Sequence, residues 1–241
     1  MLRLRLHAPF AVCRTFAAGW YRPTAAFLTP SAAYGLLLNA AAIESRLYEH
    51  DPAHGGRVPA TLTRPGLPRL RIAVGVPAGE ELPAVQSLFQ QLHNYPVGAQ
   101  AGVPAEMAKG NKNNISPVRR EVLVGLKAII AIDADGGFED RVLRGLRGEF
   151  NSARYGLPFV GDNNFLPDRF EIDSAPGPVR WYCRVASAAG DGPAAGVTRL
   201  TLRIDRADAS RTTSDLFAPV AAHEATEEPP DDAWADVGPD A

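Results

Sequence analysis

The stretch Arg119 to Ile132, RREVLVGLKAIIAI, constrains the fold more than any other part of this chain. It alternates at first and then becomes continuously apolar, which reads as one long β-strand and commits the chain to building a sheet. A second strand opens the chain, where Leu2, Leu4 and Leu6 alternate with Arg3 and Arg5 at the period of a half-buried strand. Leu70 to Val76 (LRIAVGV) reads as a third. Between the first and third strands a helix is announced by Thr29, Pro30 and Ser31. Thr29 or Ser31 can cap it and Pro30 suits its first turn. Its Ala- and Leu-rich course to about Tyr48 predicts burial on more than one face. Pro83 to Leu92 reads as a short helix. Phe138, Val142, Leu146 and Phe150 recur every four residues, as in an amphipathic helix with Arg141, Arg144 and Arg147 on its other faces. Val179 to Val185 and Val197 to Ile204 read as a final hairpin. The order predicts an α+β fold, a ferredoxin-like or RRM-like βαββαβ sheet with helices on one face. No internal repeat is present.

Composition matters chiefly through its asymmetry. The 241 residues are 46 % hydrophobic, enough for one mid-sized domain with a core, and the net charge is −2. That average conceals two parts. Met1 to Ile204 holds 23 basic and 17 acidic residues, net +6, while Asp205 to Ala241 holds ten acidic and two basic, net −8. A basic body attracts phosphate through Coulomb forces and counterion release; an ordinary surface with a solubilising tail is the plain alternative. The tail, rich in Pro, Ala and acid, is expected to be disordered. Cys13 and Cys183 lack metal-ligand spacing, which fits a reducing, cytoplasmic setting. MLRLRLHAPF lacks the apolar run of a signal peptide, and no stretch approaches the roughly 20 apolar residues of a membrane span, so no membrane partner is expected.

Three clusters suit nucleic acid. Arg14, Phe16, Trp20, Tyr21 and Arg22 interleave cations for phosphates with aromatic faces for unpaired bases, although Phe16 and Trp20 packing over a sheet edge would give the same pattern. In KGNKNNISPVRR, Lys109, Lys112, Arg119 and Arg120 are spaced by flexible and polar positions, including Asn111 and Asn113. Such a loop can follow a bent phosphate backbone, or it can be a solvated hairpin tip. Gly156 to Phe165 contains Gly156, Gly161, Asn163 and Asn164, whose backbone can cradle a phosphate or simply make a turn.

Catalytic signals are weak. GxSxG, HExxH and CxxC are absent. His93, Tyr95 and Lys109 or Lys112 supply the residue types of a metal-independent ribonuclease, with imidazole as acid or base and lysine stabilising the phosphorane, but as residue types they are common ones. His7 is a weaker candidate, and His50 and His54 fall in a loop. Asp162 beside Asn163 and Asn164 is a lone carboxylate and makes a poor metal site, so no metal or cofactor is expected.

Taken together, RPTAAFLTPSAAYGLLLNAAAIE, QQLHNYPVG, KGNKNNISPVRREVL and RGLRGEFNSARYGLPFVGDNNFLPDR resemble the Cas-five family of CRISPR-associated proteins, in its myxobacterial-type branch, over about Met1 to Arg169. The resemblance implies an RRM-like domain of the RAMP superfamily (residues 1–204), with a thumb hairpin inserted at about 92–119 and a C-terminal β extension, the 179–204 hairpin, followed by the 205–241 tail. It implies a subunit of a type I Cascade complex that holds the 5′ handle of the guide RNA and contacts the large and backbone subunits. The target DNA would be read through base pairing. Arg14, Trp20, Tyr21, Arg22 and the Gly156–Asn164 loop would grip the handle, and the Tyr34-Gly35 pair would pack behind the sheet. One branch of the family cuts precursor guide RNA with a tyrosine, a lysine and a histidine. The adjacent lysine–histidine pair of that branch has no match here, which favours a non-catalytic role.

Overall fold

The computed structural model of the chain describes residues 1–15, 20–47, 62–96, 107, 113–151, 156–185 and 196–239, with the backbone alone for 92–96 and 113–116. Among these residues ten strands and two α-helices follow one another as β1 (Leu2–Ala11), β2 (Tyr21–Arg22), α1 (Pro30–Ala40), β3 (Leu70–Pro77), β4 (Ala84–Pro96), β5 (Asn113–Asp133), α2 (Gly136–Leu146), β6 (Arg169–Ile172), β7 (Val179–Arg184), β8 (Thr198–Arg203), β9 (Thr213–Pro219) and β10 (Ala235–Val237). The class is α+β. All strands join one sheet, whose main path runs β6-β1-β5-β3-β7-β9-β8. Its first four members, with α1 between β1 and β3 and α2 between β5 and β6, reproduce the ferredoxin-like arrangement.

The two helices cover one face, where Leu4, Leu6, Leu37, Leu38, Ile130 and Ile132 form the centre of the main core. Thr29 caps α1 as expected, its side chain accepting from the Ala32 amide. The helix stops at Ala40, eight residues before its expected end, because α2 abuts its carboxyl end. Arg141 Nε donates to the Ala41 carbonyl at 2.5 Å, and Ala42 turns to a φ of 53°. Gly145 makes the contact possible, since a Cβ there would lie 1.7 Å from the Ala40 carbonyl oxygen. Asp135 caps α2, and Gly148, at φ 72°, ends it.

Two further expectations are corrected. Residues 83–92 are no helix. Val85, Leu88, Phe89 and Leu92 carry helical spacing, but the segment pairs as β4 with the long β5, from Ala84 opposite Val124 to Pro96 opposite Asn113. A ladder in one register from Ala84 to His93, on a strand of 21 residues, outweighs a local pattern. Nor is the tail disordered. β9 inserts between β7 and β8, so the two strands expected to form a hairpin never pair with each other, and β10 pairs with β3. The acid-rich composition masked spaced apolar residues that the fold buries, among them Phe217, Ala233, Ala235 and Val237.

Candidate nucleic-acid interface

β5 changes partners along its length. Its carboxyl-terminal half lies between β1 and β3, while its amino-terminal half leaves the core as a two-stranded ribbon with β4. Gly125, at φ 72°, sits at the changeover. Where β1 ends, the chain leaves the sheet and returns at β2, which lies parallel on β5 with Tyr21 opposite Arg119 and Arg22 opposite Arg120. The excursion is stitched at its neck. The Cys13 amide donates to Thr24 Oγ1 at 2.9 Å, and the Ala25 amide to the Cys13 carbonyl at 2.7 Å. The Arg119 amide donates to the Trp20 carbonyl at 2.7 Å.

Glu121 fixes the returning segment from below. One carboxylate oxygen accepts the Thr24 amide at 3.1 Å and the other accepts the Tyr21 hydroxyl. That bond, then burial and the adjacent negative charge, push the Tyr21 phenol up, so it is a neutral donor at physiological pH. Trp20 is left 64 % exposed, its ring centre 6.4 Å from that of Tyr21. The Arg119 guanidinium lies 5.9 Å from the Tyr21 ring centre and is steadied by Ser87 Oγ at 3.1 Å. Arg22 is half-buried alongside.

The Gly156–Phe165 loop closes against the same place. The Val12 amide donates to the Val160 carbonyl at 3.0 Å. Gly161, at φ 77°, permits this approach, because a Cβ there would sit 1.5 Å from the Val12 carbonyl oxygen. Asp162, 8 % exposed, binds Arg14 at 3.2 Å and Arg120 at 2.5 Å through one oxygen. Through the other it accepts the Asn164 amide at 3.0 Å and its side-chain nitrogen at 2.9 Å. Burial pushes this carboxyl up, but the hydrogen bonds from Arg120 and Asn164 outweigh it and hold the group below the usual range. Two cations on one carboxylate leave the cluster net positive.

The expected residues thus divide. Arg14, Trp20, Tyr21, Arg22, Arg119, Gly161, Asn163 and Asn164 converge on one end of the molecule, with Arg14, Asn163 and Asn164 exposed. Arg120 is only 6 % exposed. Its guanidinium is occupied by Asp162 and by Gln90 Oε1 at 3.1 Å and lies 5.5 Å from the Phe165 ring centre, so it positions the loop from inside. Gly156 anchors the loop at its other end, its carbonyl accepting from Asn39 of α1 at 3.0 Å. Lys109, Asn111 and Lys112, as well as Phe16, His50 and His54, lie outside the described residues. Asn113, His93 and Tyr95 are placed by backbone only, on the two strands of the ribbon. Glu121, absent from the sequence-based candidates, and Asp162, by sequence only a lone carboxylate and a poor metal ligand, are the organisers of this site. The signal for Glu121 was an acid directly following two arginines on a strand.

His7 stands apart on β1, opposite Lys127 and Arg169. Burial, then Arg5 and Lys127, hold its imidazole below the usual range, so it is neutral at pH 7. Burial pushes the Cys13 thiol up to about 11 and the Cys183 thiol up to about 12, so neither supplies a thiolate. Among the described residues no group of three or more His, Cys, Asp or Glu is placed to hold a metal ion. No helix among them is long and apolar enough to cross a membrane.

The ferredoxin-like sheet, taken as a fold, has a counterpart among solved structures. A chain of a CRISPR RNA-guided surveillance complex matches at a TM-score of 0.55 with 14 % sequence identity, covering 98 % of this chain and 90 % of its own. A chain described as a Cas protein matches more loosely, at a TM-score of 0.43 and 14 % identity over 95 % of this chain and 99 % of its own. No family model matches the sequence, and no curated protein does.

Proposed function

We propose that this chain is a non-catalytic subunit of a type I Cascade complex, of the Cas-five kind, that grips the 5′ handle of the guide RNA. The observation that carries the reading is the convergence of Arg14, Trp20, Tyr21 and Arg119 with the Asn163–Asn164 turn at the root of the β4–β5 ribbon. Exposed rings offer stacking faces, exposed asparagine side chains offer polar groups to base edges, and the net positive charge meets phosphate. The fold shared with a chain of a surveillance complex supports it.

The ribbon serves as the thumb. Val85, Leu88 and Phe89 are exposed on it and pack against nothing within the chain's core, which suits a contact with a neighbouring backbone or large subunit. Target DNA is reached through the assembled complex in the cytoplasm.

The test is a gel-shift of the purified chain with labelled CRISPR repeat RNA in EDTA at two salt concentrations. A salt-sensitive shift with intact RNA, weakened by Trp20→Ala and by a double alanine change at Lys109 and Lys112, is the expected result. Discrete metal-independent cleavage lost in His93→Ala would replace the reading with a processing endoribonuclease.

A further inference from the structure

The face of the sheet opposite the helices carries a second apolar cluster that the handle-binding reading leaves unused. Ala73, Ile129, Ala131, Val179 and Trp181 form it. The register sets Gly75 opposite both Ile129 and Trp181, and brings Arg5 and Arg3 opposite Ile129 and Ala131. Arg3 itself lies 5.9 Å from the Trp181 ring centre. An aromatic ring among small residues and arginines, in mid-sheet, is the kind of platform on which RRM-like sheets stack unpaired bases.

Here that platform is covered by the chain's own residues 220–237. Trp181 is fully buried, and its indole nitrogen donates to the Thr226 carbonyl at 3.1 Å. Val179 and Thr226 exchange amide–carbonyl bonds at 2.8 and 3.1 Å. Arg3 reaches the Glu227 carbonyl at 2.6 Å, Arg184 the Trp234 carbonyl at 2.6 Å, and the Arg71 guanidinium lies 5.2 Å from the Trp234 ring centre. The arginines of this face are thus held both by the strap's carbonyls and ring and by carboxylates outside it, Asp173 pairing with Arg3 and Arg5 at 2.9 Å, Asp133 with Arg71 at 2.9 Å and Asp215 with Arg184 at 3.2 Å. The strap's carboxylates, Glu224, Glu227, Glu228, Asp231, Asp232 and Asp236, all stay exposed.

We propose that residues 220–237 close the open sheet face to nucleic acid, covering its ring and reversing its charge, so that RNA engages only the Trp20–Arg119 end. The inference rests on the reading that RNA is this chain's ligand. It gives the acidic segment a purpose that a basic, RNA-gripping body otherwise lacks. A layer of exposed negative charge repels phosphate over a Debye length of about 10 Å at 0.1 M salt, and it confines binding to one register.

The test neutralises the strap in the full chain with Glu227→Gln, Glu228→Gln, Asp231→Asn and Asp236→Asn, all at exposed side chains. A milder Glu227→Gln/Glu228→Gln pair serves if the fourfold variant fails to keep the blue-shifted emission of buried Trp181. The probe is single-stranded RNA of mixed sequence, followed by filter binding at two salt concentrations and by ultraviolet crosslinking. The variant is expected to bind it about tenfold more tightly than the wild type at low salt, with the gain shrinking at high salt. New crosslinks should fall in the 220–237 segment, β1 and β7. Unchanged affinity and an unchanged crosslink map would overturn the proposal. Adding Trp20→Ala and Arg119→Ala separates the two readings. The gain on neutralising the strap should survive in that background, whereas failure of the wild type to bind any RNA would sink the handle-gripping function while leaving this gain to stand or fall alone.

Discussion

Asp162 and Trp20 illustrate two kinds of residue at one site. Asp162 is a buried carboxylate answering two arginines and its own turn, so its removal leaves Arg120 charged and enclosed. Asp162→Asn is expected to cost about 3 kcal/mol of stability, measured by urea unfolding. Because the folded carboxyl titrates below its ordinary value, its contribution is present in full above roughly pH 4 and is lost as the pH falls through the lowered value. The gap between wild type and Asp162→Asn should therefore close on acidification; a gap that stayed constant would mean the ion pair is not its source. Trp20 supports nothing beneath it. Trp20→Ala should leave stability within about 0.5 kcal/mol yet weaken RNA binding by roughly 1–3 kcal/mol, the worth of one stacked base. Equal losses in folding and binding would identify Trp20 as packing instead.

At the scale of elements, the ribbon depends on β5 changing partners without breaking. Gly125 takes the left-handed conformation there and has open space around the position of a Cβ, so the backbone angle alone demands glycine. Gly125→Ala is expected to cost about 1 kcal/mol, with Gly125→Asn costing less, as read from thermal midpoints; an alanine variant as stable as the wild type would place the changeover elsewhere. The strands at the centre were legible because their patterns agree with their surroundings. Leu2, Leu4 and Leu6 alternate because one face of β1 meets the helices, and residues 126–132 run nearly unbroken because both faces of β5 are covered there. β4 was illegible for the opposite reason. Val85, Leu88 and Phe89 are exposed, so no core selected a period for them, and the helical spacing they show is an accident of an uncovered ribbon. The end of α1 was hidden too, since it is set by Arg141 and Gly145, a hundred residues downstream. At the site, the aromatic and cationic partners were readable as residue types. That Arg120 turns inward while Arg119 faces the Tyr21 ring follows from strand alternation and from Asp162, which lies forty-two residues away in sequence.

For the molecule as a whole, composition misleads most at the carboxyl end. Ten acids among the last 37 residues describe a segment that water should keep, yet the chain needs that segment to finish its sheet. β9 gives β7 and β8 their only shared partner among the described residues, and β10 completes the side of β3 that β7 leaves open. Phe217 joins the helix-side core and Ala233 the opposite one, so both faces of the sheet lose cover if the segment goes. Burial of a side chain the size of phenylalanine is worth on the order of 2 kcal/mol, and four buried positions plus three strand ladders exceed what a domain with about 5–15 kcal/mol of net stability can spare. A chain ending at Ile204 is therefore expected to lose its cooperative urea transition and to bind hydrophobic dye, whereas a chain ending at Pro239 should match the wild type. Retention of a single sharp transition by the shorter chain would show that residues 1–204 fold alone and that the acidic segment only lies upon a finished domain.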